Sequence, residues 1–208
     1  SFLRGKTAYE YRKNLGKELA REDTVEADLV VPVPDSGNAA AIGYSHEKKI
    51  NFELGLIRNH YVGRTFIEPG QQIRSLGVKL KLNANKSSIE GKSIILVDDS
   101  LVRGTTSHKI VKMLYDAGAK EVHLRIACPE IKYPDFYGVD MPTKKELLAA
   151  NKSVGEICEY VNAKSLRFLS IKGLYKALGF AERDSTTPQL TDHYFTGEYP
   201  IKLVDQLG

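Results

Sequence analysis

Ser93-Ile94-Ile95-Leu96-Val97-Asp98-Asp99-Ser100-Leu101-Val102-Arg103-Gly104-Thr105-Thr106 runs four aliphatic residues straight into two carboxylates and then into a small, hydroxyl-rich loop. An apolar run without alternation is the pattern of a strand buried on both faces, as in a parallel sheet covered by helices. Beyond it, Ile110, Met113, Leu114 and Ala117 recur at helical spacing, the stripe stops at Gly118, and residues 121–127 form another strand-like run. Strand, helix, strand of this length implies parallel neighbours joined by a right-handed crossover. Asp98 and Asp99 then fall at the carboxyl end of a central strand, where open α/β sheets bind their ligands.

Working outward, residues 7–20 place Ala8, Tyr11, Leu15 and Leu19 on one helical face. The short β-branched run at 28–34 ends in proline and predicts a strand, followed by an Asp35-Ser36-Gly37-Asn38 loop and an alanine-rich helix reaching residue 42. A second strand is expected over 52–57. Helices are expected over 144–150, 154–161 and 171–178, with a strand at 166–169 between the last two. The alternation predicts an α/β fold, a central parallel sheet flanked by helices. From residue 181 onward the composition turns polar and turn-rich, so residues 1–180 are expected to form one domain and 181–208 a C-terminal tail packing on it.

Length and composition agree with this. The 208 residues are 42% hydrophobic and 27% charged, near the soluble globular average, which argues against disorder and fibrous architectures. Thirty basic against 26 acidic residues leave +4, too small an excess to call for nucleic acid. No apolar run approaches the roughly 20 residues of a membrane span, and residues 1–6 lack a signal-peptide core, so a cytoplasmic protein without membrane or nucleic-acid partners is expected. Cys128 and Cys158 suit reduced, buried thiols better than a disulfide framework, and two thiols cannot hold a four-cysteine cluster. His46, His60, His108, His123 and His193 show no metal-ligand spacing and are expected in surface or capping positions.

Two adjacent carboxylates repel one another and are costly to desolvate, so a fold keeps such a pair near water, a cation or hydroxyl donors. The 2′ and 3′ hydroxyls of a ribose are suitable donors. Gly104, Thr105 and Thr106 open a helix whose unpaired amides and positive dipole end can hold a phosphate. Sugar hydroxyls gripped a few ångströms from a phosphate describe a ribose 5-phosphate. A nucleotide-triphosphate loop would require Gly-x-x-x-x-Gly-Lys-Ser/Thr, which is absent.

The string from Val97 to Thr106 resembles the phosphoribosyl pyrophosphate (PRPP) signature of the type I phosphoribosyltransferases. With Val33-Pro34-Asp35-Ser36-Gly37, Arg58-Asn59-His60-Tyr61-Val62-Gly63-Arg64-Thr65-Phe66-Ile67, Lys81-Leu82-Asn83-Ala84 and Phe136-Tyr137-Gly138-Val139-Asp140-Met141-Pro142, the chain is similar over most of its length to the glutamine PRPP amidotransferases. The resemblance implies a type I phosphoribosyltransferase-like fold with a flexible catalytic loop and an appended C-terminal segment. It implies that Ser36, Asp98 and Asp99 lie around Mg2+ and the ribose, that Ser100, Arg103, Gly104, Thr105 and Thr106 hold the 5-phosphate, and that Asp35, Ser36 and Gly37 form the pyrophosphate loop. Arg58, Tyr61 and Arg64 belong to a long segment of little apolar periodicity, similar to the family's catalytic lid.

The implied reaction is substitution at C1 of PRPP by ammonia, giving 5-phosphoribosylamine and pyrophosphate, the first step of de novo purine nucleotide synthesis. Family members carry a glutaminase domain that supplies the ammonia. No part of this chain matches it, so the chain is expected to be either a fragment, which its start inside the family's pattern favours, or a freestanding transferase, using free ammonia when alone. The resemblance also implies a homo-oligomer and inhibition by purine nucleotides. Some relatives hold an iron-sulfur cluster through cysteines near the two neighbourhoods that here contain Asp135 and His193. Neither has a cysteine, so a cluster-free member is expected. The competing readings are a nucleobase salvage transferase and a non-catalytic sensor of PRPP or purine nucleotides.

Overall fold

The computed structural model describes residues 2–3, 6–58, 82–135 and 143–199. A short antiparallel pair, β1 (Phe2–Leu3) and β2 (Lys6–Thr7), leads into α1 (Ala8–Arg21). Thr7 and Glu10 form a reciprocal capping box there: the Glu10 amide donates to Thr7 Oγ1 at 3.2 Å and the Thr7 amide to Glu10 Oε2 at 2.6 Å. Then come β3 (Leu29–Pro32), α2 (Asn38–Lys48), β4 (Asn51–Phe52), β5 (Leu56–Arg58), β6 (Leu82–Ala84), α3 (Lys86–Ile89), β7 (Ser93–Asp98), α4 (Thr105–Asp116) and β8 (Glu121–Ile126). A 3-10 turn (Lys144–Glu146), α5 (Leu148–Asn151), α6 (Val154–Val161), β9 (Ser165–Phe168), α7 (Ile171–Ala177) and α8 (His193–Thr196) complete the order.

The main sheet has five parallel strands in the order β4-β3-β7-β8-β9. The chain first extends the sheet from β3 to β4, then returns to β3's other edge with β7. The carboxyl ends of β3 and β7 therefore flank the switch point, where the connections diverge to opposite faces and leave a crevice. Period-two alternation splits the strand side chains between two cores. Val31, Ile94, Leu96 and Leu124 meet Ile110 and Leu114 of α4 and Ile157 and Val161 of α6. On the other face Val30, Ile95 and Val97 meet Leu19 of α1, Ala40 and Tyr44 of α2, and Leu174 of α7.

α1 and α2 pack backbone to backbone. A Cβ on Gly16 would lie 1.8 Å from the Ala40 carbonyl oxygen, and one on Gly43 would lie 1.9 Å from that of Lys13. Glycine is the residue that permits this approach.

The strand expected over 52–57 is two strands in two sheets. β4 pairs with β3 for two residues, the chain departs at Leu54-Gly55, and β5 pairs antiparallel with β6. Gly55 is the reason: a Cβ there would meet Ile89 Cδ1 at 2.6 Å, so the backbone passes directly over the core at this point. The helix expected over 144–150 breaks into the 3-10 turn and α5, with Asn151 Nδ2 donating to the Lys144 and Leu147 carbonyls at 2.9 and 2.7 Å. The pairs β1–β2 and β5–β6 and the short helices α3 and α8 were not expected, each having too few residues to show a period.

Two histidines lie inside the fold, contrary to the expectation of surface or capping roles. His123 is 6% exposed, with Nδ1 2.7 Å from Ser165 Oγ. His193 is fully buried, with Nε2 2.9 Å from Asp135 Oδ1. Cys128 and Cys158 are free thiols, half-buried rather than buried.

The interior also holds an ion pair that periodicity does not reveal. Arg125 of β8, 2% exposed, reaches Asp23, 5% exposed, through Nε to Oδ2 and through Nη2 to Oδ1 at 3.3 Å. Tyr44 donates its hydroxyl to Asp23 Oδ2 at 2.6 Å. Burial alone would raise the Asp23 carboxyl, but the bonds from Arg125 and Tyr44 hold it below the ordinary carboxylate range.

Removing one partner strands the other's charge, so Asp23→Ala is expected to cost about 3–5 kcal/mol in urea melts at pH 7. A depressed folded pKa means the stabilisation is complete above the unfolded value, about 4, and is lost as pH falls through the folded value. The gap between wild type and variant should therefore narrow below about pH 4. A gap that instead widens on acidification would contradict the pairing.

Candidate active site

β3 delivers its loop to the end of β7 because their parallel pairing continues past the last strand residue: the Val33 amide donates to the Val97 carbonyl at 2.8 Å. Pro34, Asp35, Ser36 and Gly37 then turn the chain into α2, the Gly37 amide closing on the Val33 carbonyl at 2.8 Å and the Pro34–Asp35 peptide bond being cis. A Cβ on Gly37 would lie 2.2 Å from the Val97 carbonyl oxygen, so the loop fits under the strand only with glycine. Ser36 Oγ donates to Asp98 Oδ1 at 2.9 Å, which ties the two loops together.

Asp98 is 9% exposed and also accepts the Asp99 amide on Oδ1 at 2.8 Å. Burial pushes its carboxyl up to about 6 against the pull of the Ser36 hydroxyl and that amide, and the Asp99 charge adds to the rise. Asp99 is half-buried and accepts the Ser100 hydroxyl at 3.0 Å. Behind the pair, burial and the charges of Asp99 and Asp98 push the Cys128 thiol up to about 12, so it stays protonated.

α4 begins at Thr105 with Gly104 as its cap, in the left-handed conformation at φ 73°, and no side chain bonds the first-turn amides. α2 likewise starts from Gly37 without a side-chain cap. Two helix N-termini thus present amides and positive dipole ends at the switch point, an arrangement that favours anions. Thr105 and Thr106 are exposed there. A cleft of about 240 Å³ runs from Asp98 along Ser100, Arg103, Gly104, Thr105 and Thr106. A larger cavity of about 500 Å³ lies past β9, lined by Lys132, Arg167, Phe168 and Phe195 among others. The smaller cleft is the better anion site, because the first turn of α4 opens into it without a side-chain cap.

The structure gathers Asp35, Ser36, Gly37, Asp98, Asp99, Ser100, Arg103, Gly104, Thr105 and Thr106 at the ends of β3 and β7. Arg58, at the end of β5, joins them through Nη1 to Asp35 Oδ2 and Nη2 to the Pro34 carbonyl, both at 3.3 Å. Tyr61 and Arg64 lie outside the described residues, as does the Phe136-Tyr137-Gly138 motif. Arg103 is paired with Glu146 at 3.1 Å, a contact not foreseen. The Thr143-Lys144-Lys145-Glu146 string was readable as a capping box, but its meeting with Arg103 depends on the fold.

Ser36, Asp98 and Asp99 offer only hard oxygen donors, and burial leaves Asp98 with its charge under-compensated. Such a set suits Mg2+, which takes one or two carboxylates and completes its shell with water and substrate phosphate.

No protein-family model matches the chain. It is 58% identical over 209 aligned residues, all of this chain, to an amidophosphoribosyltransferase of Rhizobium etli, and 51% identical over 203 to one of Bacillus subtilis. The chain spans 42% of the length of each of these relatives. A solved structure, glutamine PRPP amidotransferase from B. subtilis complexed with ADP and GMP, matches 99% of this chain and 45% of its own, with a TM-score of 0.88 at 50% identity. The switch-point crevice and this identity along the whole chain match it to the phosphoribosyltransferase part of the amidophosphoribosyltransferases and give it the type I phosphoribosyltransferase fold.

Proposed function

We propose that this chain is the phosphoribosyltransferase part of an amidophosphoribosyltransferase, binding PRPP at the switch point and replacing its pyrophosphate with ammonia. The Ser36–Asp98 hydrogen bond carries the reading, since it joins the loop for the leaving group to the carboxylate for the sugar at 2.9 Å. The ribose 2′ and 3′ hydroxyls donate to Asp98 and Asp99. The 5-phosphate takes the amides and hydroxyls of Ser100, Gly104, Thr105 and Thr106, with Arg103 alongside. Asp35, Ser36 and Gly37 line the pyrophosphate, with the uncapped start of α2 aimed at it. Ser36, Asp98 and Asp99 would hold Mg2+, which when bound neutralises charge on the departing diphosphate.

At C1 the ammonia lone pair forms the new C–N bond while the C–O bond breaks, its electrons leaving with pyrophosphate, and the proton lost from nitrogen passes to solvent. The configuration inverts. No protein nucleophile is required, so the residues act by orientation and by charge placed where the cationic sugar develops. Arg58, with Tyr61 and Arg64, would form the lid that excludes water, a rival to ammonia. Arg58 already touches the pyrophosphate loop.

In the same reading, residues 1–180 are the catalytic domain and 181–208 a tail on it, a glutaminase domain supplies ammonia, and purine nucleotides inhibit a homo-oligomer. The chain alone uses free ammonia, needs no iron-sulfur cluster and works in the cytoplasm. No described helix is long and apolar enough to cross a membrane.

With Mg2+-PRPP, pyrophosphate release should rise with ammonia and stay at background with hypoxanthine; the reverse preference would make the protein a salvage transferase, and release with neither a sensor. Asp99→Ala is expected to lower ammonia-dependent turnover by about 100-fold or more, with the circular dichroism spectrum unchanged. Gly37→Ala must displace main chain at Val97 and should cost about 1–3 kcal/mol of stability as well as weaken PRPP binding. A thermal melt and a PRPP titration on the same sample check both.

A further inference from the structure

Residues 143–161 strap the phosphate loop from outside the sheet. The Leu148 amide donates to the Val102 carbonyl at 2.9 Å. Leu148 Cδ2 and Tyr160 Cε1 close over Gly104 so tightly that a Cβ there would sit 2.6 and 3.1 Å from them. The Tyr160 carbonyl lies 2.9 Å from His108 Nδ1, one turn into α4. Within the strap, Glu146 divides its carboxylate: Oε2 accepts the Thr143 amide and Thr143 Oγ1, each at 3.0 Å, while Oε1 accepts Arg103 Nη2 at 3.1 Å. The Thr143 bonds, with Arg103 adding, hold the Glu146 carboxyl below the usual carboxylate range.

Arg103 is 57% exposed and stands on a loop beside the cleft. A free arginine there would sample many rotamers and lose that freedom on meeting an anion. Its guanidinium has five N–H donors in a fixed fork, so one can be spent on Glu146 while others remain for a phosphate. Glu146 is itself fixed by its capping box and so makes a firm anchor for a mobile cation.

We propose that Glu146 is a positioning residue for the sugar-phosphate end of the substrate, holding Arg103 in place beside the amides of Gly104, Thr105 and Thr106. This deepens the PRPP reading and rests on it. Glu146 touches no substrate; it acts through Arg103.

Glu146→Gln separates this role from a structural one. The glutamine carbonyl can still accept both Thr143 bonds, but its NH₂ group then faces the guanidinium, donor against donor. The variant should melt with wild type, and its KM for Mg2+-PRPP should rise about fivefold, the ceiling for an exposed ion pair, with kcat falling less than twofold. Its affinity for ribose 5-phosphate, measured by calorimetry, should fall by the same factor. In an Arg103→Ala background the substitution should change neither quantity. An unchanged KM and ribose 5-phosphate affinity in Glu146→Gln, or an equal loss with and without Arg103, would overturn the proposal. Should wild type itself fail to bind ribose 5-phosphate, the sugar-phosphate assignment of the cleft falls first, and this inference with it.

Discussion

One main-chain hydrogen bond, from the Val33 amide to the Val97 carbonyl, sets the position of everything at the switch point. It prolongs the parallel ladder one step beyond β3, so the Pro34-to-Gly37 turn arrives against β7 while the strand is still straight. The same carbonyl leaves no room for a side chain at Gly37. From that contact follow the 2.9 Å reach of Ser36 to Asp98, the direction of α2, and the gap into which α4 points its first turn. A sheet that ended one residue earlier would leave the two loops to find each other without a template.

Electrostatics at this place are unfinished by design of the backbone. Asp98 is buried with two donors on one of its oxygens and a like charge next door, and its carboxyl stands well above the range of an ordinary aspartate. A few residues along, two helix N-termini have no side-chain caps. A buried carboxylate and positive helix ends therefore lie side by side at the switch point. The proposed ligand, with hydroxyl donors, phosphate and a hard cation, is the kind that complements both.

The strands and long helices were legible because their periods were long enough to repeat: β7, β8 and α6 lie where the apolar pattern puts them. Asp98 and Asp99 were legible for the same reason, since the end of an unmistakable strand fixes where its acids go. Less visible were features made by contacts distant in sequence. Asp23 and Arg125 are 102 positions apart, and the alternation of Glu121, His123 and Arg125 with aliphatic residues along β8 reads as a solvent-facing edge, not as a face that buries a partner. His193 meets Asp135 across 58 positions, which puts a histidine expected at a surface or capping position inside the fold. The 52–57 run failed as one strand because periodicity cannot register a backbone that must lift over Val31 and Ile89 at Gly55. The Arg103–Glu146 contact needed the strap's path, which no local pattern encodes.

The interlocked glycines of α1 and α2 tie helix packing to the geometry of the switch point. Gly16 and Gly43 notch the two helices against each other's carbonyls, so neither helix can slide along its axis without collision. α2 carries the Ser36-Gly37 turn at its head, which makes α1 a mechanical backstop for the turn that meets Asp98. A larger residue at either notch must displace that turn, so two positions remote from the crevice govern how closely Ser36 approaches Asp98.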